Sequence, residues 1–167
     1  QTMRNETLKL IGRRHTVSQL VDAYKIAREE GFDDINMDII LGLPGEDAGD
    51  VAYTMSKIAE LNPDDLTVHS LAIKRGSKLA GIMNQARQRM KKPFSDKNID
   101  SDVELLDEIK NTVEMMDIAS KGARDMGLEP YYLYRQKNIS GNFENTGFAR
   151  KGKAGIYNIL INDNSRV

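Results

Sequence analysis

The feature that most constrains this chain is a switch of hydrophobic period. It passes from helical spacing to a short β-branched run and back within sixty residues. The helix predicted over Thr16–Arg28 carries a capping box, Thr16 with Gln19, and Val17, Leu20, Val21, Tyr24 and Ala27 recur at helical spacing. Gly31 supplies its left-handed stop. Ile35–Leu41 then reads as a strand ended by Gly42-Leu43-Pro44-Gly45. A second helix, Asp50–Leu61, puts Val51, Met55 and Ile58 on one stripe and ends at Asn62-Pro63, and Leu66–Ile73 is a second strand. Helix, strand, helix, strand is the pattern of a parallel sheet with helices packed on it, an α/β fold. Such sheets bind ligands beyond the carboxyl ends of their strands, here around Leu41–Glu46 and Ala72–Ser77.

Further along, Ser77–Met90 and Asp102–Asp125 read as helices. The second carries Leu105, Leu106, Ile109, Val113, Met116 and Ala119 on one face and stops at Gly127. Tyr131–Arg135 and Ile156–Ile161 read as late strands separated by an Asn- and Gly-rich loop. The 24 basic and 25 acidic residues leave a net charge of −1, which gives neither nucleic acid nor a membrane surface a field to follow. No apolar run reaches the roughly 18 residues of a membrane-crossing helix. No leader opens the chain, so a cytoplasmic location is expected. Cysteine is absent, which excludes disulfides and thiolate-held metals or clusters within these residues.

Within the first strand, Asn36 and Asp38 share one face while Ile35, Met37, Ile39 and Leu41 share the other. A carboxylate inside a helix-covered parallel strand is costly unless it is paired or binds something. Asp38 therefore either pairs with a buried arginine or caps a turn, or it meets a ligand near the Gly42–Glu46 loop. That loop lacks the Lys-Ser/Thr ending of a phosphate cradle, and a plain tight turn explains it equally. His69 reads as a hydrogen-bonded core residue, and His15 has no partner at metal-binding spacing. Arg13 and Arg14 are either solvated or, for one of them, within reach of a carboxylate. The basic residues Arg87, Arg89, Lys91 and Lys92 are followed closely by acids and read as a solvated surface. Met115, Met116 and Met126 read as core filler. Alternation over Tyr131–Arg135 pairs Tyr132 with Tyr134 on one face, and Tyr131, Leu133 and Arg135 on the other. This is either a packed edge strand or a wall for a flat or anionic substrate with Asn138–Gly147 as a lid.

Several ordered stretches resemble one family. Gln1-Thr2-Met3, Leu8 to His15, Asn36 to Gly45, Leu61 to Asp64 and Leu66 to Ile73 look like the central part of oxygen-independent coproporphyrinogen III oxidases, which are radical S-adenosylmethionine enzymes. Pro130 to Lys137 with Gly141 to Asn145 is most like their coproporphyrinogen dehydrogenase branch. The resemblance implies part of a (β/α) barrel of the radical S-adenosylmethionine type, with later strands and a long helix appended. On it, residues 1–76 are barrel core and residues 77–167 are family-specific helices and strands. The implied cofactors are S-adenosyl-L-methionine and a [4Fe–4S] cluster, which together generate a 5′-deoxyadenosyl radical. The implied reaction is oxidative decarboxylation of a porphyrinogen's propionates to vinyl groups, in haem biosynthesis, with an electron-donor protein as partner. Carried over residue by residue, the cofactor contacts are Gln1, Arg13, Asp38 and Ala72; Tyr132, Tyr134 and Arg135 are candidates for the substrate. The family's cluster loop needs three cysteines, so the early strands and that loop are expected upstream of Gln1, and this stretch alone is expected to be inactive. Two other readings stand beside it: a relative that carries haem without oxidising a porphyrinogen, and an α/β binding module without radical chemistry.

Overall fold

The computed structural model describes residues 1–70, 99–134, 145–156 and 159. The order of elements is α1 (Asn5–Leu10), α2 (Val17–Glu29), β1 (Asn36–Leu41), α3 (Ala48–Leu61), β2 (Asp65–Ser70), α4 (Ile99–Asp125), β3 (Glu129–Tyr134) and β4 (Asn145–Ala149). Both chemical halves of the Thr16 box form, the side chain accepting from the Gln19 N–H and Gln19 returning the bond. Asp47 and Asp50 make a second box at the start of α3. α3 ends where Asn62 takes a left-handed conformation at φ 57°, which an asparagine tolerates better than most residues.

The four strands form one sheet in the order β1-β2-β4-β3. β1 and β2 run parallel, as the alternating pattern predicts, with Asp38 opposite Thr67. The parallel arrangement stops there: β4 lies antiparallel to β2, and β3 antiparallel to β4. One face of this sheet, through Ile39, Leu41, Leu66, Val68 and Phe148, packs on Val51, Met55 and Ile58 of α3 and on Met115, Ala119 and Ala123 of α4. Gly122 permits the two helices to close up, because a Cβ there would stand 2.8 Å from Met55 Cε.

Four sequence expectations change. The buried stripe of α4 is Thr112, Met115, Ala119 and Ala123, so Val113, expected inside, is 43% exposed. Small side chains at positions 119 and 123 turn that stripe, rather than the bulkier one, toward α3. Asn145–Gly147, expected in a loop, belong to β4, because the β3 ladder holds all three extended and the β2 ladder holds Thr146 and Gly147 as well. Ile156 and Ile159, expected in a strand, are helical, and the Ile159 N–H bonds the Gly155 carbonyl at 3.3 Å. His69, expected in the core, is more than a third exposed. The predicted helix over Ser77–Met90, the basic run at Arg87–Lys92 and the end of the second predicted strand lie outside the described residues.

Candidate functional site

Opposite the helix-packed face, the sheet carries polar side chains. Alternation from the buried Ile39 and Leu41 turns Asn36 and Asp38 to this side, and Asp65, Thr67 and His69 of β2 share it. Thr67 Oγ1 donates to Asn36 Oδ1 at 3.2 Å, and Asn36 Nδ2 donates to Asp38 Oδ1 at 3.0 Å. His69 Nε2 lies 3.7 Å from the same carboxylate oxygen, and both side chains keep contact with solvent. The partner of Asp38 is thus an exposed histidine and an asparagine, not the buried arginine that was one of its two readings. His69 beside the carboxylate, helped by the Asn36 hydrogen bond, outweighs burial and holds the Asp38 carboxyl below the usual range.

Gln1 meets this face at the free side of β1, its carbonyl accepting the Ile40 N–H at 2.9 Å. The next residues are tied down firmly. Thr2 Oγ1 donates to the buried Glu46 at 2.6 Å, the Met3 N–H donates to Thr54 Oγ1 at 3.2 Å, and Arg4 pairs with Asp50 at 3.2 Å. These bonds fasten the segment to α3 and to the Gly42–Glu46 loop, which is a tight turn closed by Glu46 N–H to Leu43 O at 3.1 Å. A cleft of about 390 Å³ runs along β1 toward α2, and Gln1, His15 and Asp38 all line it. Arg13 is exposed, makes no side-chain bond among the described residues, and lies close to Gln1.

Of the residues the sequence singles out, Gln1 and Asp38 therefore share a cleft and Arg13 lies beside it. Tyr132 sits two strands beyond β2 and is half-buried, and Tyr134 ends β3 opposite Asn145. Ala72 and Arg135 lie outside the described residues. Strict alternation fails in β3, because a bulge between Pro130 and Tyr132 shifts the register. Tyr131 consequently reaches the polar face, where its hydroxyl donates to Asp65 Oδ2 at 2.6 Å. Sequence reasoning missed both Asp65 and Tyr131; the only signal was a carboxylate at the mouth of an apolar strand.

S-adenosylmethionine offers hydroxyls, an amine and a carboxylate. Two residues of the cleft suit such groups, Asp38 as an exposed acceptor and Gln1 Oε1 as a buried oxygen with no hydrogen-bond partner, and the exposed guanidinium of Arg13 lies outside the lining but close to Gln1. An iron–sulfur cluster does not fit these residues, since the sequence has no cysteine.

Comparison with known proteins follows the same lines. Residues 1–58 match the Radical SAM superfamily. Over 161 residues, 96% of this chain, it is 40% identical to the oxygen-independent coproporphyrinogen-III oxidase-like protein HemZ of Bacillus subtilis. The chain belongs to the radical SAM superfamily and is HemZ-like. It is also 33% identical over 100 residues, 60% of its length, to the heme chaperone HemW of Lactococcus lactis. It spans 28% of the HemZ relative and 26% of the HemW relative. Among solved structures, the radical SAM enzyme coproporphyrinogen III oxidase (HemN) of Escherichia coli matches 92% of this chain and 29% of its own, with a TM-score of 0.58 at 22% identity. The parallel β1–β2 pair and its appended strands are thus a stretch of the radical SAM fold, and this sheet is an open part of it. No helix among the described residues is long and apolar enough to cross a membrane.

Proposed function

We propose that this chain supplies the cofactor edge and one substrate wall of an oxygen-independent coproporphyrinogen III oxidase, acting in the cytoplasm in haem biosynthesis. The observation that carries the reading is the polar face itself. It presents an acceptor, Asp38, to a cleft that Gln1 also lines, with the exposed Arg13 of the α1–α2 loop close to Gln1, in a chain that resembles HemZ along nearly all of its length. Arg13 would grip the cofactor's carboxylate with its planar fork, and Asp38 and Gln1 would take its hydroxyls and amine, with Ala72 a further contact that the family resemblance implies. When bound together with a cluster held elsewhere, S-adenosylmethionine supplies the hydrogen-abstracting power. Residues of this chain orient both ligands; His69 and Asn36 keep Asp38 charged and aimed. Tyr132, Tyr134 and Arg135 would line the substrate, and electrons would come from a donor protein.

The similarity to HemW motivates a second reading, a haem carrier, but it covers 60% of the chain against 96% for HemZ. Incubating the full-length protein anaerobically with reductant, S-adenosylmethionine and coproporphyrinogen III decides between the two. Conversion to protoporphyrinogen IX, with cofactor consumed and carbon dioxide released, supports the oxidase. Stoichiometric haem binding without that product means a carrier.

A further inference from the structure

Glu46 takes no part in the roles proposed above. It ends the tight turn after β1, yet its side chain is turned inward and the residue is only 9% exposed. Thr2 Oγ1 donates its single proton to Glu46 Oε1 at 2.6 Å. The 3.3 Å contact between the Thr2 and Thr54 hydroxyls must therefore run from Thr54 to Thr2. Thr54 in turn accepts the Met3 N–H at 3.2 Å, and Thr2 accepts the Arg4 N–H at 3.2 Å. Every donor of this buried chain thus points toward one carboxylate. Without that acceptor the Thr2 proton has no outlet, and the bonds behind it lose their direction. Gln1 is caught between this chain and β1, where its carbonyl accepts the Ile40 N–H at 2.9 Å. Thr2, Met3 and Thr54 line the same cleft as Gln1, and Glu46 does not.

We infer that Glu46 is a positioning residue for the cofactor edge: through Thr2 and Thr54 it fixes the main chain of Gln1, and so presents the buried, unbonded Gln1 Oε1 to S-adenosylmethionine. A main chain held at Ile40 on one side and at Glu46 on the other loses its freedom in folding rather than at binding, which preserves affinity. Glu46 acts through Thr2 and touches no ligand. The inference rests on the reading that Gln1 contacts the cofactor, and it adds a residue of the Gly42–Glu46 turn to those that orient it.

The test titrates S-adenosylmethionine into the full-length, cluster-loaded protein by calorimetry. Gln1→Ala, Thr2→Val and Glu46→Leu should each weaken binding about tenfold. Glu46→Gln keeps an acceptor oxygen at the same reach and should bind as wild type does. In the Gln1→Ala background, Glu46→Leu should weaken binding no further, because its effect passes through Gln1. A second readout needs no ligand. Hydrogen exchange at the Ile40 N–H should quicken about tenfold in Thr2→Val and Glu46→Leu, while that at the Leu128 N–H, bonded to Ala123 of α4, stays as in wild type. Where Glu46→Leu does not fold, Thr2→Val takes its place throughout. The inference is overturned if Gln1→Ala weakens binding and Thr2→Val does not, if Glu46→Gln binds as poorly as Glu46→Leu, or if Glu46→Leu exerts its full effect on top of Gln1→Ala. An equal rise in exchange at Leu128 would make Glu46 a general stabiliser and overturn it too, as would unmoved exchange at Ile40. Should Gln1→Ala leave the affinity unchanged, Gln1 is not a contact and the reading beneath the inference fails instead.

Discussion

Asp38 and Tyr132 stand on one row across the sheet, joined through Thr67 and Gly147. Three strand spacings separate them, roughly 14 Å, on a common face. On the function proposed above, the cofactor lies at one end of that row and part of the substrate at the other.

The two ends should therefore fail independently. In the full-length protein, Asp38→Ala is expected to weaken S-adenosylmethionine binding by about 1.5–3 kcal/mol and to leave substrate affinity alone. Tyr132→Ala should do the reverse. Their effects on each ligand should add to within about 0.5 kcal/mol, because no side chain is shared at that range. Strong coupling in calorimetric titrations would place both residues in one binding site.

Arg13 and its neighbour provide a register test. Arg13→Ala should weaken S-adenosylmethionine binding by about 1.5–3 kcal/mol, and Arg13→Lys by less, since lysine keeps charge but not the fork. Arg14→Ala should have no effect. A cofactor titration in which Arg14→Ala is the damaging change would move the assigned segment, Gln1 included, by one residue.

At the amino ends of the strands, Arg28 binds Asp64 at 2.6 Å, donates to Tyr24 and lies over its ring, while Asp64 Oδ2 also accepts the Ile35 N–H at 3.1 Å. Burial lowers the Arg28 pKa, but the bonds to Asp64 and Tyr24 more than reverse this. Arg28→Met should cost about 2–3 kcal/mol by leaving a nearly buried carboxylate without its cation. Urea unfolding of the full-length protein measures this, and combining Arg28→Met with Asp64→Ala should cost less than the two added.

Asp65 predicts a pH dependence. Its folded pKa is raised, so the folded state holds a proton that the unfolded chain has already lost. Its favourable contribution is full below the unfolded value, about 3.9, and disappears as pH rises through the folded value. Asp65→Asn should flatten that part of the stability–pH curve. Equal slopes for the two proteins in urea titrations between pH 4 and neutrality, roughly, would mean that the carboxyl is ionised at no cost.

Asp38's face was legible because a strand's period of two needs only its own residues. The same rule misplaced Tyr131, since the bulge that redirects it arises from pairing with β4. β4 itself, Asn-Thr-Gly-Phe-Ala, has no alternation strong enough to announce a strand; two neighbouring ladders impose one. His69 was misread for a different reason. A lone histidine within a strand suggests a hydrogen-bonded core residue, but only the sheet reveals that Asp38 stands beside it. Capping boxes carry no such dependence, and the one at Thr16 formed as written.

The missing side chain at Gly122 reaches further than the helix contact it permits. Five residues on, Gly127 turns the chain at φ 75°, and β3 begins at Glu129. α4 therefore meets Met55 one turn before the chain reverses into β3. Volume added at position 122 would act as a shim between the two helices, met first by the flexible end of Met55.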